Sequence, residues 1–132
     1  MLLIQMVLQL AVWITPIKTQ KLTHRGIVQT VAHGLSKAPE YIIEKSRERA
    51  DNWVVYTAPV GNTGGFILED TNAVITTDTY WNDTSPTSTV WTMGTQNAVN
   101  VSGQETIAYC FHSVEGFSRI GSYTGNGNAN GT

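Results

Sequence analysis

The acidic residues are the first place to look for catalysis, because glycoside hydrolysis needs two carboxyl groups facing each other across a cleft. Glu69 and Asp70 are adjacent, so on a strand their side chains would point to opposite faces. Glu105 and Glu115 are separated by an apolar stretch, and the pattern Glu-x-Asp-x-x-Glu, which places catalytic acids along one strand, does not occur. The sequence therefore predicts no catalytic carboxylate pair and a chain that is not an enzyme.

Nucleophiles and metal ligands are equally sparse. His24, His33 and His112 are scattered with no neighbouring nucleophile, and His33, which precedes a glycine, is predicted to be a turn residue hydrogen-bonded to backbone. The single cysteine, Cys110, lies within an apolar run, which predicts a buried thiol and excludes an intrachain disulfide or a cysteine-based zinc site. Nucleophile-elbow and phosphate-loop patterns do not occur. No cofactor is predicted.

Binding is a stronger possibility at one loop, where two aromatic residues precede two polar ones: Tyr80, Trp81, Asn82 and Asp83. Sugars pack their CH faces on aromatic rings while their hydroxyl groups need donors and acceptors, so this loop is a candidate glycan-binding site. In the alternative interpretation Trp81 folds back into the core, and Asn82 and Asp83 cap a turn. Exposure or burial of Trp81 distinguishes the two.

The number and distribution of charged residues argue against nucleic acid as a partner. The net charge is −2 and the eight basic residues form no long run, whereas nucleic-acid binders carry a basic stripe that neutralises phosphates. Lys45, Arg47 and Arg49 are predicted to mark the solvated end of a hairpin.

Calcium would require several oxygen ligands on converging loops. The candidates are Asp70, Asp78 and Asp83, but they form no compact loop of regularly spaced acids. No metal site is predicted.

From Gly26 onward, short β-rich runs alternate with turn residues, and no helical periodicity lasts beyond two turns. Seven or eight strands at this spacing predict an antiparallel β-sandwich of the jelly-roll kind. A hairpin is expected around residues 46–51, and a last partial strand at residues 117–123. The predicted core consists of Ile43, Trp53, Val55, Trp91, Ile107, Tyr109 and Phe111. The domain is predicted to span residues 26–124, followed by a flexible Gly/Asn-rich tail at 125–132.

Residues 1–25 differ from the rest, because residues 1–14 are apolar apart from Gln5 and Gln9. This run is shorter than a membrane-spanning helix, and the lysines of the segment follow the apolar run instead of preceding it as in a secretory signal. A cleaved or vestigial signal, an interface-forming segment and a non-native leader stay open. Uncovered apolar surface of this size would drive association, so we expect a homo-oligomer whose interface includes residues 1–14.

The chain resembles a module of uncharacterised proteins from marine bacteriophages, often present in tandem copies and commonly described as concanavalin-A-like or laminin-G-like. The similar stretches are His33-Gly34-Leu35, Ala38-Pro39 and residues 43–47, 52–56, 80–90, 107–111, 115–118 and 121–127. They cover about four-fifths of the chain in matching order, whereas residues 1–25 lie outside the similarity.

The resemblance implies a β-sandwich in a virion protein of the tail-fibre or appendage type. Such a protein is made in the host cytoplasm and carried on the extracellular particle. It implies a non-enzymatic structural or host-contacting role, with other virion proteins as partners and a trimer favoured by analogy. A carbohydrate-binding module recognising a host glycan is the alternative function, and a glycan-hydrolase remnant is the second alternative.

Overall fold

The computed structural model of the chain describes residues 27–127, and the regular structure within that range is entirely β. The seven strands are β1 (Gln29–Ala32), β2 (Tyr41–Ser46), β3 (Val54–Thr57), β4 (Gly64–Ile67), β5 (Ile75–Thr76), β6 (Val90–Met93) and β7 (Thr106–Phe111). No helix in this part of the chain could cross a membrane. The predicted apolar segment at residues 1–14 lies outside the described residues.

Five strands form one antiparallel sheet in the order β5-β4-β3-β2-β7. Strands β2 to β5 are neighbours in both sequence and space, whereas β7 returns from the far end of the chain to lie beside β2. In the central row of the sheet, Ile43 is opposite Val55 on one side and Tyr109 on the other. The predicted hairpin around residues 46–51 is confirmed by the pairing of β2 with β3.

The second sheet contains β1 and β6 alone among the described strands, with Val31 opposite Trp91. A hydrogen bond joins the sheets, since the Trp91 indole of β6 donates to the Glu44 carboxyl group of β2. The two antiparallel sheets confirm the predicted fold class, an antiparallel β-sandwich.

The core lies between the sheets, on what we call the inner face of the five-stranded sheet. Alternation along β2 and β7 places every second side chain there, and the buried ones include Ile42, Ala108 and Cys110. The side chains that complete this core are Val54, Tyr56, Ile67, Tyr80, Trp81, Trp91, Met93 and Val99. Each large apolar side chain buried here stabilises the fold by roughly 1.5–3 kcal/mol.

The predicted core was wrong about the facing of β2 and β7. Val55 and Trp91 are buried as predicted, but Ile43, Trp53, Ile107, Tyr109 and Phe111 are only partly buried. The physical reason is that alternation places the largest apolar side chains of β7 on one face, whereas packing against the second sheet, which alternation does not reveal, decides which face turns inward. The tightly packed face of these strands carries the smaller or polar residues instead.

The predicted last strand at residues 117–123 is also wrong. Residues 114 and 118 form an isolated bridge around a turn, and Phe117 and Tyr123 are exposed. The bridge closes a local loop, since the backbone N–H of Val114 donates to the carbonyl of Ser118 at 3.0 Å. With its backbone groups paired locally, this stretch joins neither sheet.

Candidate functional site

The loop of residues 80–83 packs its aromatic half into the core. Tyr80 and Trp81 are 5% and 1% exposed, and the Trp81 indole donates a hydrogen bond to the carbonyl of Gly64 at 3.0 Å. The Trp81 ring meets Tyr56 edge to face, with ring centroids 5.5 Å apart. Every polar and apolar part of the indole is therefore engaged, and neither ring offers a face on which a sugar could stack.

The polar half of this loop forms its exposed tip. Asn82 and Asp83 both adopt the left-handed backbone conformation, with φ of 52° and 47°. Asparagine and aspartate tolerate this conformation better than other side chains that have a Cβ. Two hydrogen bonds to the backbone fix the tip. The Asn82 N–H donates to the Asp78 carbonyl at 2.7 Å, and the Asn62 side-chain amide donates to the Asp83 carbonyl at 2.8 Å.

The structure therefore divides the four predicted glycan-site residues. Asn82 and Asp83 are at the surface, but Tyr80 and Trp81 lie beneath them in the core. The burial of Trp81 agrees with the second interpretation, and Asn82 and Asp83 form the turn through their left-handed backbone conformation. The order of the four residues could not reveal it, because a short loop can turn an aromatic side chain either way.

The acids proposed as calcium ligands are dispersed. Within residues 27–127 no group of three or more His, Cys, Asp or Glu side chains could hold a metal ion. Asp70 instead organises its own turn, where its carboxylate accepts hydrogen bonds from the N–H groups of Thr71 at 2.7 Å and Asn72 at 3.3 Å.

His24 lies outside the described residues, and the two histidines within them, His33 and His112, serve as structural hydrogen-bonding groups. His33 is fully buried, and its Nδ1 accepts a hydrogen bond from the Leu35 N–H at 3.0 Å. Its Nε2 must then carry the proton, which it donates to the carbonyl of Thr87 at 3.0 Å. This confirms the prediction of a turn residue bonded to backbone. His112 is half-buried, with Nδ1 2.9 Å from the carbonyl of Ser113.

A buried carboxyl group was missed by sequence reasoning. Glu44 is 0% exposed on the inner face of β2, where Oε1 accepts the Trp91 indole N–H. Oε2 has no hydrogen-bond partner among the described residues. Burial raises the pKa of Glu44 to about 8, while the hydrogen bond from Trp91 acts in the lowering direction. The sequence offered one sign of this burial. Glu44 is two residues after Ile42, so on a strand the two side chains lie on the same face.

The thiol of Cys110 is buried next to this carboxyl group. Cys110 is opposite Ile42 in the sheet, and burial together with the charge of Glu44 raises its pKa to about 12. The thiolate is the reactive form of cysteine, so a thiol with such a high pKa is unreactive. The predicted buried location is confirmed.

The opposite side of the five-stranded sheet, which we call the outer face, is apolar and partly exposed. Its side chains include Tyr41, Ile43, Val55, Phe66, Ile107, Tyr109 and Phe111. Lys45, the charged residue in this alternation, donates through Nζ to the carbonyls of Ser46 at 2.8 Å and Arg49 at 2.7 Å. Its charge is thereby drawn towards the hairpin end, which leaves the middle of the outer face without a charge.

No curated protein sequence and no solved structure matches the chain. A family match covers residues 18–132, which starts inside the 1–25 segment and includes the whole sandwich. With nearly all of its length within that match, the chain belongs to the family described as the domain of unknown function DUF7483.

Proposed function

We propose that this chain is a non-enzymatic structural or host-contacting module of a phage virion, of the tail-fibre or appendage type. Support comes from how the fold uses its reactive side chains. His33, Glu44, Trp81 and Cys110 are all buried and engaged in packing or hydrogen bonds. What the described surface offers to a partner is an apolar sheet face.

The observation that carries the proposal is the apolar outer face. Four apolar side chains lie side by side across the adjacent strands β7, β2, β3 and β4, in the order Tyr109, Ile43, Val55 and Phe66. Each large apolar side chain removed from water contributes roughly 1.5–3 kcal/mol, so a few such residues can stabilise an association. We therefore propose that copies of the chain form a homo-oligomer through this face.

Light scattering on the full chain at micromolar concentration tests the assembly. A lysine at Tyr109 would place a charge on the outer face beside Ile43, so Y109K should dissociate the oligomer. Y123K is the matched control, because Tyr123 is 94% exposed outside both sheets. A wild-type monomer, or equal behaviour of the two variants, would contradict assembly through the outer face.

Membership of the virion has a separate test. Mass spectrometry of purified particles from the encoding phage should detect the chain in fixed proportion to other structural proteins. Its absence from particles would overturn the virion role.

The glycan-binding alternative depends on Asn82 and Asp83 alone, since the rings beneath them are buried. A glycan array probed with the full chain should give no specific signal. Binding that is lost in the variant Asn82→Ala would favour the carbohydrate-binding function instead.

A further inference from the structure

The asparagines among the described residues differ in the residue that follows each of them. Asn126 is followed by Gly127, whereas all the others are followed by residues that carry a Cβ atom. This difference matters chemically, because an asparagine side chain can react with the backbone nitrogen of the next residue, and a Cβ atom there crowds the approach. The asparagines of the second kind are Asn52, Asn62, Asn72, Asn82, Asn97 and Asn100.

Asn126 and Gly127 lie in an exposed stretch that follows β7. Residues 121–127 are all exposed and belong to neither sheet. Gly127 has a φ of 71°, in the left-handed region that glycine enters without steric cost. An atom at the Cβ position of Gly127 would have no heavy atom of the described residues within 4 Å, apart from its chain neighbours. The backbone here therefore has room to bring the Gly127 nitrogen to the Asn126 side chain.

Hydrogen bonds hold other asparagine side chains in place. The Asn100 side chain is buried, and its amide donates to the carbonyls of Ile27 at 2.7 Å and Gly94 at 2.8 Å. The side-chain amide of Asn62 donates to the carbonyl of Asp83 at 2.8 Å. Loss of either amide nitrogen would require these hydrogen bonds to break first, so we expect both side chains to react slowly.

The backbone nitrogen that follows Asn52 is engaged as well. The Trp53 N–H donates to the Glu69 carboxylate at 3.1 Å. Attack by this nitrogen on Asn52 would break that hydrogen bond, and the bulky Trp53 side chain adds a steric obstacle. The fold therefore opposes at Asn52 the reaction that it permits at Asn126.

From these differences we infer that Asn126 is a deamidation site whose co-reactant is water. The Gly127 backbone nitrogen gives its proton to solvent and attacks Cγ of Asn126. The carbon–nitrogen bond of the side-chain amide breaks, ammonia leaves with a proton returned from solvent, and a cyclic succinimide remains. Water then opens the ring at either carbonyl and leaves aspartate or isoaspartate.

The reaction needs no oxidant or reductant, and its product carries one more negative charge. The net charge of the chain changes from −2 to −3, because a neutral amide is replaced by a carboxylate. The new charge lies outside both sheets, in the stretch that follows the sandwich. The inference concerns one residue and does not depend on the proposed virion function.

Mass spectrometry of the full chain, sampled during incubation at pH 8 and 37 °C, tests the site. Trypsin cleavage after Arg119 releases a peptide that contains Asn126, and fragment ions separate it from Asn130, which lies outside the described residues. Asn126 should convert roughly tenfold or more faster than Asn62 and Asn100, because glycine admits an approach that a Cβ atom hinders. Conversion of Asn126 no faster than that of Asn100 would overturn the inference.

A pair of glycine substitutions tests the part played by Gly127. Gly127→Ala places a Cβ atom beside the attacking nitrogen and should slow the conversion of Asn126 by roughly tenfold. Gly121→Ala is the matched control, because Gly121 is also exposed with no heavy atom near its Cβ position, but it does not follow an asparagine. It should leave the rate unchanged. Equal rates in the two variants would contradict the attack by the Gly127 nitrogen.

The products distinguish the proposed route from direct hydrolysis. Opening of a succinimide gives isoaspartate together with aspartate, whereas direct attack of water on the side-chain amide gives aspartate alone. Enzymatic methylation of isoaspartate, measured on the same tryptic peptide, should therefore increase with incubation time. Conversion of Asn126 to aspartate alone would rule out the route through Gly127.

Discussion

His33 and Glu44 are both fully buried polar residues close to Trp91, yet the fold satisfies them differently. The rings of His33 and Trp91 are 6.4 Å apart, and each ring nitrogen of His33 has a backbone partner. Glu44 has a partner for one carboxyl oxygen and none for the other among the described residues. Both ring nitrogens of the histidine are paired, whereas burial of the incompletely paired carboxyl group favours its protonated form.

Of the substitutions that test this comparison, removal of the His33 side chain should lower the free energy of unfolding most. The variant His33→Ala leaves the Leu35 N–H and the Thr87 carbonyl without partners and opens a cavity, so we expect a loss of about 3 kcal/mol or more in the free energy of unfolding. Urea denaturation measures the loss. His112→Ala is the control, because His112 is half-buried, and a similar loss in both variants would contradict the special role of His33.

The next largest effect should be the pH dependence caused by Glu44. Its pKa is raised from 4.5 to about 8, so the folded state retains a proton that the unfolded state has lost between these values. The stability from this group is complete below about pH 4.5 and decreases as pH rises to 8, by an amount on the order of a few kcal/mol. Thermal unfolding between pH 4.5 and 8.5 measures the decrease.

Glu44→Gln should flatten this pH dependence, because a neutral amide has no proton to lose. Glu115→Gln is the matched control, since Glu115 is exposed, and it should leave the profile unchanged. A profile of E44Q that falls as steeply as that of the wild type would contradict the assignment.

A smaller effect should follow from removing the indole donor. Trp91→Phe keeps an aromatic ring but deletes the hydrogen bond to Glu44, which we expect to cost about 1–3 kcal/mol above pH 8 and less in acid. Because this hydrogen bond lowers the pKa of Glu44, the loss of stability should extend to higher pH in the variant. Trp53→Phe is the control, since the Trp53 side chain is only partly buried and donates no hydrogen bond to Glu44.

The smallest effect should be seen at Cys110. Burial, and secondarily the charge of Glu44, raises the pKa of the thiol to about 12, so native labelling by thiol reagents at pH 8 should be slow. E44Q should speed labelling only modestly, because burial is the main cause. Rapid, stoichiometric labelling of the native wild type would show that the inner face is open to solvent.

The sequence allowed the fold class, the hairpin and the locations of His33 and Cys110 to be predicted, because those predictions depend on local patterns. The facing of β2 and β7 depends instead on packing between sheets, where Glu44 takes the inward place beside Ile42 and Ile43 turns outward. The burial of Trp81 also depends on a contact that local sequence patterns do not reveal. Its indole is buried because the Gly64 carbonyl lies within reach, and that contact joins residues 17 positions apart.

The return of β7 to the side of β2 also determines when this domain can be completed. Strands β2 to β5 can pair as soon as they leave the ribosome, but β7 begins at Thr106, some sixty residues after β2. Pairings between distant parts of a chain form slowly, because the intervening loop must first be closed. Until then Glu44 lacks one of the two strands that lie beside it in the folded sheet. We therefore expect the closure of this sheet near neutral pH to be accompanied by the uptake of a proton at Glu44, because burial raises the pKa of its carboxyl group.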